Sequence, residues 1–147
     1  MMGKTIMVSG GFDPIHPGHI EMISSASEYG DVIIVANSDE WLVRKKGYYF
    51  MPFSARKKIL ESIKGVICVY MADDKDDTVI ESLKRIKPTY FANGGDRGKG
   101  NTPEQEICDK LGIEMLWGIG GTHKIWSSSS IVNRVMKFHP LLPGSAE

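Results

Sequence analysis

Two histidines, His16 and His19, stand three residues apart in the stretch GGFDPIHPGH, which follows a short apolar run ending at Gly10 and Gly11. Pro17 suits the first turn of a helix, so both imidazoles are predicted to lie at a helix N-terminus. Such a terminus presents unpaired N–H groups and positive potential, which favour phosphate. The imidazoles would add donors as negative charge builds up on phosphate oxygens. The stretch therefore predicts chemistry on a phosphate group.

Metal binding and dinucleotide binding by this stretch have less support in the sequence. Two histidines at this spacing can bind zinc, but no cysteine or carboxylate cluster completes a site, so no metal held by protein side chains is predicted. The glycines do not follow the G-x-G-x-x-G spacing of a dinucleotide-binding turn. The histidines could also be incidental polar residues of a loop. Phosphate chemistry is the preferred interpretation.

Composition narrows the class of protein. The chain has 147 residues, 41% of them apolar and 24% charged, which is typical of one globular domain. Eighteen basic and eighteen acidic residues cancel, which argues against a surface for nucleic acid. No apolar run approaches the ~18 residues of a membrane-spanning helix. Cys68 and Cys108 are isolated, and Cys68 is predicted to be a buried thiol. We expect a cytoplasmic enzyme or binding domain.

Strand-like and helix-like segments alternate along the chain. The apolar runs KTIMVSG and DVIIVANS flank a helical pattern, and the alternation continues through GVICVYM, PTYFANGG and IEMLWG. Continuous apolar strands are typical of a parallel sheet covered on both faces. The pattern predicts an α/β fold, a Rossmann-like doubly wound sheet of about five parallel strands with helices on both faces. Residues 1–138 are assigned to this domain and 139–147 to a flexible tail.

The unusual segments all follow predicted strand ends, where doubly wound sheets bind ligands. SDEWLVRKKG is predicted to form a short helix and a basic loop. PFSARKKILESI is predicted to be a helix with Pro52 in its first turn, and DDTVIESLKRIK a helix begun by acidic residues.

The motifs together resemble a known family. GFDPIHPGH resembles the HxGH signature of the cytidylyltransferase-like nucleotidyltransferases. VANSDEWLVRKKG with MPFSARKKILESI is similar to the basic loop and next helix of glycerol-3-phosphate cytidylyltransferases and heptose-phosphate adenylyltransferases. YFANGGDR is similar to the GGD element of the heptose branch, and KIWSSSSIV to the family's second nucleotide signature. The resemblance runs from Lys4 to about Met136.

The resemblance implies a reaction in which an oxygen of a phosphorylated sugar or polyol attacks the α-phosphate of ATP or CTP and expels pyrophosphate. This chemistry needs positioning and charge neutralisation. By the resemblance, His16 and His19 contact the α-phosphate during catalysis. Gly11 and Phe12 lie against the nucleotide, and Asp13 supports the loop or the substrate. No metal site built from protein side chains is predicted, so Mg²⁺ would be held mainly by triphosphate oxygens and water.

A basic cluster follows the second predicted strand. Lys45 aligns with the family's phosphate-binding lysine, so the resemblance makes it the third catalytic residue. Lys46 and Arg56 are predicted to contact the phosphorylated substrate, although Arg56 could serve structure as much as phosphate. The alternative for the cluster is a solvated charged face.

Two later segments complete the predicted nucleotide site. Gly94 and Asp96 follow the fourth strand and are predicted to contact a nucleobase or ribose, unless they form a simple turn. The hydroxyls of Ser127 and Ser128 suit β- and γ-phosphates at a helix N-terminus, although they could merely cap the helix. The family's arginine before this serine run is absent here. Lys124, or the histidine before it, is the predicted replacement, with a point charge in place of a bidentate fork.

Two other functions stay open at this stage. One is a regulator that binds nucleotides without turnover, and the other is an adenylyltransferase of the pantetheine-phosphate or nicotinate-mononucleotide type. The histidine pair and basic loop argue against a flavodoxin-like electron carrier. Related enzymes are commonly homodimers, and the aromatic residues of EWLVRKKGYYFM predict a partner or lid surface. A homodimer is therefore expected.

Replacing either histidine tests the phosphate interpretation. We expect His16→Ala and His19→Ala each to lower kcat by at least ~100-fold, because donors aimed at developing charge act mainly in the transition state. Nucleotide affinity, measured by calorimetry, should change less than kcat. Turnover at the wild-type rate in either variant would contradict the assignment.

Overall fold

Strands and helices alternate as the sequence predicts. The computed structural model describes residues 3–94, 103–121 and 127–138. The predicted tail and part of the predicted nucleotide site lie outside these ranges. The described elements are β1 (Thr5–Gly10), α1 (Pro17–Ser27), β2 (Asp31–Ala36), α2 (Asp39–Lys46), α3 (Phe53–Glu61), β3 (Val66–Met71), α4 (Ile80–Ile86), β4 (Tyr90–Gly94), α5 (Pro103–Leu111), β5 (Glu114–Ile119) and α6 (Ser128–Phe138).

The five described strands form one parallel sheet in the order β3-β2-β1-β4-β5. From β1 the chain winds outward to β2 and β3, and it then crosses to the other side of β1 to form β4 and β5. The winding direction therefore reverses between β1 and β4. A crevice opens at such a reversal, beyond the C-terminal ends of the two central strands. The predicted Rossmann-like fold is confirmed.

Two apolar clusters, one on each face of the sheet, form the core. Burial of these side chains is the main favourable contribution to folding. The first cluster packs α1 and α3 on the sheet, and the second packs α4 and α5 on the opposite face, which confirms helices on both faces. The buried members of the first are Ile6, Val8, Phe12, Ile23, Ala26, Val32, Ile34, Ala36, Leu60, Val69, Ala92 and Ile119. Those of the second are Met7, Val35, Ala72, Val79, Leu83, Phe91, Cys108 and Ile113.

The strand β3 is less buried than its apolar sequence predicts. It lies at the sheet edge, and the second cluster contains no side chain from Val66–Met71. Ile67, Tyr70 and Met71 are at least half exposed, and Cys68 is half-buried. The prediction of a buried Cys68 thiol is wrong because β3 is an edge strand, and the described elements leave part of its surface uncovered.

Helix boundaries differ from the sequence pattern in two places. The segment predicted as a basic loop is the last turn of α2, which ends at Gly47 with a left-handed φ of 89°, a conformation that favours glycine. The helix α4 begins only at Ile80. Its acidic lead-in forms a turn instead, in which the Asp76 carboxylate accepts the Thr78 N–H and hydroxyl. None of the described helices is long and apolar enough to span a membrane.

The two thiols should differ in reactivity. Burial raises the pKa of the Cys108 thiol to about 11, and the charges of Glu104 and Asp109 add to this effect. Thiolate is the reactive form, so at pH 8 a disulfide reagent should titrate Cys68 rapidly and Cys108 only after denaturation. Cys68→Ser should abolish the fast reaction. Two fast thiols in the native protein would contradict this packing.

Candidate active site

The two histidines form the N-terminal cap of α1. The Nδ1 atom of His16 accepts the Gly18 N–H at 3.1 Å, and Nδ1 of His19 accepts the His16 N–H at 3.2 Å. Their rings stack with centroids 3.8 Å apart. An Nδ1 atom that accepts a backbone N–H carries no proton, so the neutral imidazoles are protonated at Nε2. Both rings can therefore supply an Nε2–H donor, as contact with a phosphate oxygen requires.

Phe12 and Gly11 precede this cap and pack into the protein. Phe12 is buried with a left-handed φ of 52°, and its ring centroid lies 4.9 Å from that of His19. Phe12 therefore helps to fix the His19 ring. A Cβ on Gly11 would come within 3.1 Å of Leu42 Cδ2, so the absence of a side chain there lets α2 approach. Contact of either residue with a nucleotide stays a prediction.

Asp13 supports the segment that joins α2 to α3. Its buried carboxylate accepts the backbone N–H groups of Phe50 and, at 2.7 Å, Met51. Lys46 Nζ lies 3.3 Å from the Asp13 carbonyl oxygen. Of the two roles predicted for Asp13, the structure shows support of a loop. That loop holds three consecutive exposed aromatic side chains, Tyr48, Tyr49 and Phe50.

Arg56 is fully buried and donates four hydrogen bonds. Its Nη1 atom contacts the carbonyl oxygens of Gly11 at 2.9 Å and Asn37 at 2.8 Å. Its Nε contacts the Met51 carbonyl at 3.0 Å, and Nη2 pairs with Asp39 at 2.7 Å. The guanidinium thus joins three loops at the C-terminal edge of the sheet. A phosphate could reach it only if this network opened.

The basic residues of α2 are paired with an acidic turn. Arg44 and Lys45 lie 2.9 Å and 3.6 Å from the Asp77 carboxylate. The hydrogen bond from Arg44 holds the pKa of Asp77 below its usual value, and the charge of Lys45 adds to this effect. Lys45 Nζ also lies 6.0 Å from the Trp41 ring centroid. Both cations remain about half exposed, so surface ion pairing is weak.

A buried Asp74 network was not predicted from the sequence. The Asp74 carboxylate accepts bonds from Asn37 Nδ2 at 3.1 Å and from the Ser38 N–H and hydroxyl at 2.8 Å and 2.7 Å. Ser38 in turn caps α2 by accepting the Trp41 N–H. Asn37 and Ser38 follow β2, and Asp74 follows β3. Polar residues after neighbouring strands can meet at one edge of a parallel sheet, so their positions were a signal for this network.

The serine run brings α6 to the histidine loop. The Ser128 hydroxyl donates to the Pro14 carbonyl at 2.8 Å, which joins α6 to the loop before α1. Ser127 Oγ accepts the Ser130 N–H at 3.1 Å, and Ser130 Oγ lies 3.2 Å from the Ser127 N–H. These two serines cap the helix reciprocally. Gly94 ends β4, whereas the predicted sites Asp96 and Lys124 lie outside the described residues.

A shallow cleft of about 420 Å³ lies beside this edge, lined by Asp39, Glu40, Val43 and Tyr49. Its acidic and apolar lining was not predicted. Among the described residues no group of three or more histidine, cysteine or carboxylate side chains could hold a metal ion.

Comparison with known proteins shows that a chain with this fold and this site belongs to the nucleotidyltransferases. A family model described as Cytidylyltransferase-like matches residues 7–134, and the chain belongs to that family. The protein is therefore an enzyme that transfers a nucleotidyl group.

Individual relatives differ in how much of their length is matched. The FAD synthase of Korarchaeum cryptofilum is 34% identical over 145 residues, which cover 92% of this chain and 94% of the relative. The bifunctional protein HldE of Haemophilus ducreyi is 34% identical over 124 residues, or 82% of this chain but only 24% of the relative. A solved lipopolysaccharide core biosynthesis protein from Thermoplasma volcanium has a TM-score of 0.67 at 21% identity, covering 80% of this chain and 95% of that one. This last likeness concerns the fold.

The role of Lys45 can be separated from a structural one. We expect Lys45→Ala to lower kcat/KM by about 10- to 100-fold, because its ammonium would neutralise phosphate charge after leaving Asp77. The melting temperature should not change, since exposed pairs add little stability. Lys46→Ala should be milder.

Lys84→Ala is the matched control, because Lys84 forms a similar exposed pair with Glu81 on α4. Steady-state kinetics and thermal melting of the three variants provide the measurement. Equal kcat/KM values in the Lys45 and Lys84 variants would contradict the assignment of Lys45 to the active site.

Proposed function

We propose that the protein is an adenylyltransferase that joins AMP from ATP to riboflavin phosphate, giving FAD and pyrophosphate. FAD consists of these two mononucleotides linked through their phosphates. The similarity to an FAD synthase along nearly the full length of both chains supports this acceptor. The sugar or polyol phosphate expected from the sequence, and CTP as donor, are the competing predictions.

The contact between Ser128 and the Pro14 carbonyl carries the mechanistic argument. It brings the N-terminus of α6 beside the loop that begins α1, so the positive ends of two helix dipoles lie near one another. Two such termini favour a polyanion such as a triphosphate. His16 and His19 would stabilise charge on the α-phosphate, while Ser127, Ser128 and Lys124 would hold the departing phosphates.

In the proposed reaction, a phosphate oxygen of the flavin attacks the α-phosphorus of ATP. The new P–O bond forms as the bond to the bridging oxygen of the β-phosphate breaks, and pyrophosphate leaves with that electron pair. No covalent enzyme intermediate is needed, so catalysis rests on positioning and charge neutralisation. Mg²⁺ bound to the triphosphate would supply further charge neutralisation and would be held mainly by phosphate oxygens and water.

The exposed aromatic segment supports a flat acceptor. Tyr48, Tyr49 and Phe50 lie next to the Asp13 loop, and Phe50 is 60% exposed. Exposed aromatic rings in a row are a suitable surface for stacking a tricyclic ring. Lys46, whose Nζ already lies at this loop, would contact the flavin phosphate. Dimer formation through the same aromatic surface is the other prediction for it.

The HldE similarity supports a second candidate, a sugar phosphate acceptor. The flavin is preferred because the match covers 94% of the FAD synthase but only 24% of HldE. The family assignment favours an enzyme over the non-catalytic alternative.

An acceptor panel tests the proposal. Purified protein with ATP and Mg²⁺ should convert riboflavin phosphate to FAD, measured by chromatography and by equimolar pyrophosphate. Parallel reactions would use glycerol 3-phosphate with CTP and a heptose phosphate with ATP. His16→Ala controls for contaminating activity. Pyrophosphate release with a sugar or polyol phosphate but not with the flavin would overturn the proposed acceptor.

A further inference from the structure

Asn93, near the end of β4, is a buried residue with an unused acceptor. Its side chain is only 2% exposed. The Nδ2 group points to the Leu116 carbonyl at 3.5 Å. The Oδ1 atom has no hydrogen-bond partner and is one of two buried side-chain atoms in this state among the described residues. Because a carbonyl only accepts, the contact with Leu116 fixes which end of the amide is oxygen.

The sheet is irregular at this residue. Ala92 pairs with Leu116 and Gly94 with Ile119, so Asn93 faces two residues of β5 where a regular ladder would supply one. Gly118, one of those two, has a left-handed φ of 73°, as expected within a bulge. Bulges beside active sites re-aim side chains. The bulge and the Oδ1 atom without a partner therefore occur at the same residue, Asn93.

Asn93 also stands at the point where the winding of the sheet reverses. Ile6 pairs with Tyr90 and Met7 with Phe91. These recorded pairs end at Phe91, and Asn93 lies two residues further along β4, toward the C-terminal edge where β1 leads into the histidine loop. The reversal between β1 and β4 is where such sheets bind ligands. The strand end that carries the unsatisfied acceptor is therefore next to the crevice that a nucleotide would enter.

We infer that Asn93 Oδ1 accepts a hydrogen bond from the nucleoside part of the bound nucleotide and thereby contributes to nucleotide selection. A buried acceptor left unpaired is costly, and a ligand that supplies the missing donor recovers that cost on binding. At neutral pH ATP carries three nucleoside donors: the adenine N6 amino group and the 2′ and 3′ ribose hydroxyls. The inference rests on nucleotide binding at this edge and does not depend on the acceptor.

Binding measurements without acceptor test the inference. Wild type and Asn93→Ala would be titrated by calorimetry with ATP, purine riboside triphosphate, 2′-deoxy-ATP and 3′-deoxy-ATP, all with Mg²⁺. In wild type, the analogue that lacks the bonded donor should bind about 3- to 10-fold more weakly than ATP, as one neutral hydrogen bond provides. In Asn93→Ala this preference for ATP over that analogue should disappear. The analogue that binds more weakly shows whether Asn93 contacts the base or the ribose.

Asn37→Ala is the matched control. Asn37 is a similarly buried asparagine at the end of β2, but its amide already bonds to Asp74. Its replacement should lower the melting temperature and leave the ratio of ATP to analogue affinity unchanged.

The wild-type panel keeps the inference falsifiable even if Asn93→Ala does not fold. Equal affinity of wild type for ATP and all three analogues would overturn it. An equal loss of affinity for every nucleotide in Asn93→Ala would also overturn it, because the residue would then act only on the fold. Failure of wild type to bind any nucleotide would overturn both this inference and the proposed function, whereas failure to use flavin would leave this inference standing.

Discussion

The buried guanidinium of Arg56 is the interaction on which the active-site edge depends. It contacts backbone carbonyls of the loops after β1 and β2 and of the segment before α3, and it forms an ion pair with Asp39. A charge without surface exposure is tolerated only when its donors are satisfied. The carbonyl groups that satisfy the guanidinium are in turn held by it, so the three loops are kept at fixed distances from one another.

Further contacts extend this arrangement on either side. Asp13 holds the aromatic segment through two backbone N–H groups, and Asp74 holds the start of α2 through Ser38. Ser128 joins α6 to the histidine loop. Buried carboxylates and the guanidinium act here mainly on backbone groups. Lys45 and the exposed aromatic residues are thus carried on segments that these contacts hold in place.

Much of the fold was predictable because continuous apolar runs between helical patterns specify a parallel sheet by local rules. The histidine cap of α1 was equally local, since His16 and His19 bond to backbone groups within three residues. The burial of β3 was not predictable. Its residues are as apolar as those of β2, but only the assembled sheet shows that β3 lies at an edge, where the described elements leave several of its side chains exposed.

By itself, the sequence determined the succession of strands and helices along the chain, the position of the two histidines at the start of α1, and the family to which the motifs belong. These features follow from interactions between residues close in the chain, or from short motifs that are recognised by their residue types alone. Tertiary structure alone decided that Arg56 is buried, that Ser128 meets Pro14 across 114 positions, and that Asn93 faces a bulge. Such contacts join residues far apart in the chain, so they exist only once the sheet has brought those segments to one edge.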